Sequence, residues 1–279
     1  MEQIGIPIFC FHLGSHQHVP LVMSQARNWN PLSPIHLITD QPKDNFPNIS
    51  VHSVFDYAHS ASELSEYYEH KSLNALEFER ICFQRWLVLS EVLKSLPYER
   101  CFVMDSDVLL FSDITAEHAK YRDSEFTLTH RMSPGESFFS SYIIHEFASY
   151  IIEAFKDKDS YVWHMSDALW KYIQTHSQGG GGVSEMTFLY YFAGRYEGRY
   201  IENMSIINNA TFDHHINTSV PGYEMEYGRK KIYWKENQPY GYHLKKESLI
   251  RFLSLHFQGN AKQILHHFLR SRLQSSIIG

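Results

Sequence analysis

Short apolar runs alternate with segments of helical periodicity over the first hundred residues of the chain. Four apolar runs predict strands, at residues 6–11, 34–39, 49–54 and 101–104. Between them, residues 20–27 and 76–96 predict helices, and in the second the apolar side chains recur every three or four positions until Pro97 ends the pattern. Strands that alternate with helices in this way predict a mostly parallel sheet covered by helices on both faces.

The second half of the chain is less regular. Strands are expected at 125–130 and 252–256, and helices at 143–155, 161–173, 184–193 and 261–273. Ser60–Glu63 has the spacing of a capping box and predicts a helix start, Gly179–Gly182 predicts a flexible loop, and 200–243 predicts irregular hairpins. Without repeats or low-complexity linkers, residues 1–279 are expected to form one α/β domain with an elaborated C-terminal half.

Composition limits the class of protein. The 279 residues are 43% hydrophobic and 15% aromatic with a net charge of −6, which indicates a folded protein without the basic surface of a nucleic-acid binder. The three cysteines (Cys10, Cys82 and Cys101) have no CxxC spacing, which favours a reducing compartment. With no apolar run near the roughly 20 residues of a membrane span and no signal-peptide pattern, we expect no transmembrane segment and a cytoplasmic location.

An Asp-x-Asp sequence, Asp105-Ser106-Asp107, directly follows the apolar strand at 101–104. Two carboxylates on one turn can converge on a divalent cation, and hard oxygen ligands suit Mn²⁺ or Mg²⁺. A solvated turn is the alternative. Apolar runs on both sides favour the metal site, because unpaired charge at the edge of a core is costly. The turns after Phe11, Thr39 and Met104 are expected on one rim, where parallel sheets bind ligands.

A second motif, His256-x-x-Gly259-x-x-Lys262, follows the last apolar strand and precedes the last predicted helix. Glycine allows the backbone to approach an anion closely, the helix N-terminus supplies N–H donors, and lysine adds a positive charge. His256 could supply a nitrogen ligand to the same cation. Taken alone the motif also fits an ordinary strand-to-helix turn; together with the Asp-x-Asp it favours a site for a metal and a phosphate.

In this order and at opposite ends of the chain, the two motifs resemble those of nucleotide-sugar glycosyltransferases of the GT-A fold, most of all the family 8-like group. The resemblance implies a single Rossmann-like domain, with a nucleotide-sugar-binding half at 1–113 and an acceptor half at 114–279. It also implies Mn²⁺- or Mg²⁺-dependent transfer of a hexose-like sugar from a nucleotide diphosphate donor, usually a UDP-sugar, to a carbohydrate or other hydroxyl acceptor. The Asp/Asn-x-Asn-Tyr pattern usual after the first strand of family 8 is missing here.

The resemblance assigns the metal to Asp105, Asp107 and His256, and the diphosphate to Gly259 and Lys262. Further donor contacts are expected around these residues. Asp105 and Ser106 are candidates through the Asp-x-Asp turn, and Phe11 and His12 would lie under the base and ribose.

Two more donor contacts are suggested by position in the sequence. Asp40 ends the second strand and is a candidate for the base or ribose, or else caps a turn. Arg85 lies on the helix before the Asp-x-Asp strand and is a candidate for the sugar or phosphate, or else pairs with Glu79 or Glu91.

The acceptor side has two acidic candidates for a general base, Glu185 and Asp213. Glu185 follows the glycine-rich loop, where an acid in the first helical turn also simply complements the helix dipole. A catalytic base would favour inversion, whereas family 8 favours retention, so the stereochemistry stays open. The pairs His214-His215 and His266-His267 are interpreted as surface residues.

Two alternatives to a glycosyltransferase remain. An apolar strand before Asp-x-Asp also resembles haloacid-dehalogenase-like phosphatases, but those carry the motif near the chain start and need a paired-acid loop that is not found here. A non-catalytic nucleotide-sugar or carbohydrate-binding protein would keep the metal site without an acceptor pocket. Donor hydrolysis or transfer would distinguish this from an enzyme.

Overall fold

A computed structural model describes residues 5–42, 46–177, 181–220 and 222–269. The strands are β1 (Ile8–His12), β2 (Ile35–Thr39), β3 (Ser50–Ser53), β4 (Arg100–Asp105), β5 (Val108–Leu110), β6 (Phe126–Leu128), β7 (Glu136–Ser140), β8 (Tyr200–Glu202), β9 (Ala210–Thr211), β10 (Met225–Glu226), β11 (Arg229–Lys230), β12 (Tyr233–Lys235), β13 (Gln238–His243), β14 (Ser248–Phe252) and β15 (Ser254–His256). The α-helices are α1 (His18–Trp29), α2 (His59–Tyr67), α3 (Leu76–Lys94), α4 (Ile114–His118), α5 (Ser141–Lys156), α6 (Tyr161–His176) and α7 (Glu185–Gly194), and 3₁₀ helices span Val54–Tyr57 and Gly259–Phe268.

A seven-stranded sheet with the order β3-β2-β1-β4-β7-β6-β8 forms the centre of the molecule. Strands β3, β2, β1 and β4 are parallel, whereas β7 runs antiparallel to both β4 and β6. The prediction of a mostly parallel sheet flanked by helices is therefore confirmed. The register places Phe11 beside Asp105 and His12 beside Thr39, so the turns after β1, β2 and β4 do meet on one rim.

Alternation along the strands divides the core between the two faces of the sheet. Phe9 and Val103 point into a cluster built with α2, α3, α5, α6 and α7. Ile8 and Met104 point into a second cluster with α1, β5 and the C-terminal segments. Because both faces are covered, strands such as β2 read as continuous apolar runs, with all five residues buried.

Helix α3 begins and ends close to the predicted bounds, at Leu76 and Lys94. Helix α2 begins at His59, ahead of Ser60–Glu63, so the capping box predicted there is wrong. Ser62, in the middle of that sequence, donates its hydroxyl to the Ala58 carbonyl instead. The C-terminal α-helix predicted at 261–273 is a 3₁₀ helix over Gly259–Phe268, and its predicted end lies outside the described residues.

The predicted strand at 252–256 is interrupted at Leu253. Before it, β14 belongs to a four-stranded sheet with the order β12-β13-β14-β9; after it, β15 turns to pair with β5. The backbone of Leu253 makes this change of partner possible, since its carbonyl accepts from the Phe111 amide while its amide donates to Thr211. The remaining strands of this half are short, as the irregular pattern predicts.

The glycine-rich loop lies partly outside the described residues, which resume at Gly181. Gly182 forms an isolated β-bridge to Ser72. A Cβ at Gly182 would stand 2.3 Å from Ser72, so only glycine fits where these two segments approach each other. The contact ties the segment before α7 to the one before α3. All three cysteines are free thiols. Among the described helices, none combines the length and apolarity needed to cross a membrane.

Candidate metal and phosphate site

The antiparallel pair β5–β15 brings the two sequence motifs together. Asp105 ends β4, Asp107 precedes β5, and the register pairs Val108 with His256. The Phe257 amide also donates to the Asp107 carbonyl, with an N···O distance of 2.9 Å. Residues about 150 positions apart in the chain are therefore brought together just beyond the end of β4.

Asp105, Asp107 and His256 converge with ligand atoms that all lie within 4.8 Å of one another. His256 Nε2 is 3.2 Å from Asp107 Oδ1 and 3.8 Å from Asp105 Oδ2. Lys262 Nζ lies 3.2 Å from Asp107 Oδ2, so this lysine stands beside the same group. Two carboxylates and one imidazole suit a divalent cation such as Mn²⁺ or Mg²⁺.

The close pairing shifts the pKa values of both partners. Burial alone would lower the pKa of His256, but the close contact and negative charge of Asp107, with Glu136 and Asp105 nearby, raise it to about 9. Burial alone would raise the pKa of Asp107, but His256 and Lys262 hold it well below its usual range. A metal that binds between these side chains would compete with the proton that the pairing with Asp107 favours on His256.

Gly135, just before β7, closes the site from the side. Its carbonyl accepts from the Asp105 amide, and a Cβ there would stand 2.8 Å from His256 Cε1 and 2.9 Å from Asp105 Oδ2. The space that the missing side chain leaves is thus occupied by two of the three candidate ligands. The donor set and this close approach both fit a metal centre.

Arg85 links the Asp-x-Asp turn to the start of α7. Its Nη1 donates to Asp105 Oδ1 at 2.8 Å and its Nη2 to Glu185 Oε1 at 2.9 Å. The sequence left Glu79 and Glu91 as possible partners, and the structure gives neither. Glu185 is only 6% exposed. Burial raises the pKa of its carboxyl, while the charge of Arg85 opposes that shift.

The other sequence candidates lie at the same rim. His12 Nδ1 is 2.8 Å from Ser106 Oγ, so the end of β1 touches the Asp-x-Asp turn directly. Asp40 Oδ1 accepts from the Gly14 amide at 2.8 Å, which is the turn-capping alternative for that residue. Phe11 lies beside Asp105 in the sheet register. Gly259, with φ +58°, starts the 3₁₀ helix that carries Lys262.

Asp213 has a different environment from the one its suggested role as a base requires. Its side chain is 0% exposed, and its Oδ1 lies 2.5 Å from the ammonium of Lys230, which is 1% exposed. Its Oδ2 accepts from the His256 amide at 3.2 Å. The role of Asp213 as a base stays a prediction; in the structure its enclosed carboxylate supports the backbone of His256.

Several residues near the site carried no usable signal in the sequence. Gly135 precedes an ordinary apolar strand, with only Pro134 to mark a turn. Glu136 begins that strand and is buried, and burial raises its pKa to about 8. His214 is half-buried rather than at the surface; its ring centroid lies 5.0 Å from that of His130, and burial lowers its pKa to about 4.

No protein-family profile and no curated protein sequence matches the chain. Solved structures do. The galactosyltransferase LgtC in complex with donor and acceptor sugar analogues matches with a TM-score of 0.51 and 9% identity over 95% of this chain and 95% of that one. An active-site mutant of LgtC matches with a TM-score of 0.50 and 9% identity over 94% and 95%. The chain thus has the GT-A fold of nucleotide-sugar glycosyltransferases. At such low identity the likeness extends to the fold alone, and the resemblance to family 8 stays a prediction.

Proposed function

We propose that this protein is a metal-dependent glycosyltransferase that moves a sugar from a nucleoside diphosphate donor to a hydroxyl acceptor. The observation that carries the proposal is the convergence of Asp105, Asp107 and His256 at the strand-end rim of a GT-A fold, with Lys262 beside them. The donor we propose is a UDP-sugar carrying a hexose, the acceptor a carbohydrate or another hydroxyl compound, and the location cytoplasmic.

Asp105, Asp107 and His256 would hold Mn²⁺ or Mg²⁺. Bound there, the cation would offset the charge that develops on the departing nucleoside diphosphate. Lys262 is 43% exposed and so is free to turn from Asp107 toward a diphosphate, where its ammonium would stabilise the same charge. Gly259 would let the backbone approach the phosphates closely.

Further donor contacts follow from position on the rim. Phe11, His12 and Asp40 would lie beside the base and ribose, with Ser106 joined to His12 by a hydrogen bond. Arg85, held between Asp105 and Glu185, would present its remaining N–H groups to the sugar or a phosphate.

Glu185 has two possible roles in this proposal. As a general base it would deprotonate the acceptor; as a positioning residue it would hold Arg85. Its 2.9 Å contact with the guanidinium and its burial favour the positioning role. A buried carboxylate that gave up this contact would leave Arg85 with an unpaired N–H group.

The proposal is tested by screening nucleotide sugars with Mn²⁺ for thermal stabilisation and then assaying donor turnover. We expect one UDP-sugar to stabilise the protein and to be hydrolysed or transferred, with both effects lost in chelator. Stabilisation without any turnover across an acceptor set would favour the binding-protein alternative. Release of phosphate from a phosphomonoester, with no nucleotide-sugar binding, would favour the phosphatase and contradict the proposal.

A further inference from the structure

Three histidines cluster beside the Asp-x-Asp turn, outside the set of Asp105, Asp107 and His256. His12 ends β1, His16 lies in the following turn, and His18 begins α1. The ring centroids are 4.9 Å apart for His12 and His16, 5.7 Å for His12 and His18, and 5.6 Å for His16 and His18. The glycosyltransferase proposal uses one of these rings, His12, and leaves the other two unexplained.

The ring spacing is close to that of a three-histidine metal centre, but the ligand nitrogens of these three rings do not all lie within the 4.8 Å that separates the ligand atoms of Asp105, Asp107 and His256, so a ring must turn for all three to bind one ion. With zinc–nitrogen distances of about 2.05 Å, tetrahedral geometry separates ligand nitrogens by about 3.4 Å and imidazole centroids by about 5.2 Å. The measured separations of the three rings bracket the second value, and His12 Nε2 lies 3.0 Å from His16 Nδ1, close to the first. Two nitrogens already face each other at nearly the separation of two ligands on one ion.

The hydrogen bonds of the cluster leave one ring nitrogen available to bind a metal. His18 Nε2 is buried and has no hydrogen-bond partner among the described residues. If this ring turned toward His12 and His16, a metal ion bound by all three histidines would become the missing partner of Nε2. His12 Nδ1 contacts the Ser106 hydroxyl, which orients the ring with Nε2 toward the cluster, as a hydrogen bond at the other ring nitrogen does for metal-binding imidazoles.

Charged side chains around the cluster both favour and oppose metal binding. Burial, followed by the neighbouring His16 and His18, lowers the pKa of His12 to about 4, which favours the neutral ring that binds metals. Burial also lowers the pKa of His18. Lys262 is a nearby cation that opposes metal binding, whereas Asp40 and Asp107 are nearby anions that favour it.

We propose that His12, His16 and His18 form a second metal site, selective for a borderline transition ion such as Zn²⁺ and separate from the site of Asp105, Asp107 and His256. Three imidazole ligands prefer Zn²⁺ over the hard cations Mg²⁺ and Mn²⁺, while the carboxylate-rich site accepts the hard cations. A fourth coordination position would be left for water or an anion.

One consequence rests on the proposed function. Because His12 touches Ser106 at the rim where the donor would bind, Zn²⁺ held there would compete with the nucleotide. Zinc inhibition that is relieved in a His16→Ala variant would be the sign of this competition. The binding test below does not depend on it, so a failure of the second site and a failure of the glycosyltransferase proposal remain distinguishable.

The test is calorimetric titration of Zn²⁺ into the Asp107→Ala protein, which weakens the carboxylate-rich site, with and without His18→Ala or His16→Ala. We expect Asp107→Ala to keep one zinc equivalent, and each histidine change to weaken that binding by more than the roughly 10- to 100-fold lost when a residue that only hydrogen-bonds to a ligand is replaced. Co²⁺ should give the strong visible absorption of a tetrahedral nitrogen site in Asp107→Ala, and lose it with His18→Ala.

His59 provides the matched control, because it is an exposed histidine at the start of another helix, α2. His59→Ala should leave zinc binding and the Co²⁺ spectrum unchanged. Zinc binding that survives His16→Ala and His18→Ala, or that is lost only when the adjacent pair His266 and His267 is replaced, would overturn the proposal. Circular dichroism of each variant shows whether a loss reflects unfolding.

Discussion

Two regions of this protein meet at the candidate site and are built in different ways. The strand-end region comprises the turns after β1, β2 and β4, with His12, Asp40 and the Asp-x-Asp at 105–107. The returning region comprises residues 210–216, Lys230 and 254–262. In the first, parallel strands of the central sheet place the side chains; in the second, short strands and a buried ion pair do so.

The difference shows in what supports each ligand. Asp105 ends β4 and is placed by neighbours of the central sheet: its register with β1, the Gly135 carbonyl at its amide and the Arg85 guanidinium at its carboxylate. His256 depends on contacts from three directions: the β5–β15 pair, the Asp213 carboxylate at its amide, and Gly135 against its ring. The returning region is therefore expected to be the more sensitive to substitutions away from the ligands themselves.

The largest effect on stability is expected for Lys230→Met. The change leaves the Asp213 carboxylate, 0% exposed, without its cation, which costs about 3–5 kcal/mol for a buried pair. Urea unfolding followed by circular dichroism measures the loss. Lys231→Met is the matched control, because Lys231 pairs with Glu224 at the surface and its loss should matter far less. Equal effects of the two changes would contradict the special role of the buried pair.

Gly135→Ala should weaken Mn²⁺ binding by roughly 10- to 100-fold, as changes around metal ligands commonly do. The new Cβ, 2.8 Å from His256 Cε1 and 2.9 Å from Asp105 Oδ2, would push both ligands from their positions. Calorimetry measures the affinity. Gly194→Ala is the control, since a Cβ there meets only the end of the Arg131 side chain. Unchanged Mn²⁺ affinity in Gly135→Ala would show that the close approach plays no part in the metal site.

Glu185→Gln should lower turnover by less than about tenfold if Glu185 only positions Arg85, because the amide oxygen can still accept a hydrogen bond. Transfer and hydrolysis of the donor should then fall together. If transfer is abolished while hydrolysis persists, Glu185 is the general base and the positioning role is wrong. The two rates are measured with the donor identified in the nucleotide-sugar screen.

The smallest effect expected is a dependence on pH. The pKa of His256 rises from 6.5 to about 9 on folding, so its contribution to the stability of the metal-free protein is complete below about pH 6.5 and is lost as the pH rises to about 9. Mn²⁺ binding should tighten over the same interval, since the competing proton leaves. The melting-temperature difference with and without Mn²⁺ should therefore widen from pH 6.5 to 9; a constant difference would contradict the pairing of His256 with Asp107.

Sequence periodicity predicted the strand-end region well, because its strands and helix α3 are long enough to show their pattern and a parallel sheet places their ends together. The meeting of Asp107 with His256 was suggested by the chemistry of the two motifs and by the resemblance, since nothing local in the sequence encodes the β5–β15 pair. The ion pair of Asp213 with Lys230 was missed for the same reason. In the last helix, Ala261 and Leu265 bury one face, and their spacing did not distinguish a 3₁₀ helix from an α-helix.

The central claim is that Asp107 helps to hold a cation on which donor turnover depends. The most direct measurement compares UDP-sugar turnover in saturating Mn²⁺ for the native chain, Asp107→Asn and the control Asp123→Asn, which changes an exposed aspartate outside the motif. We predict a loss of roughly 100- to 1,000-fold for Asp107→Asn with folding retained, and none for the control. Full turnover by Asp107→Asn, or by the native chain in excess chelator, would contradict the account.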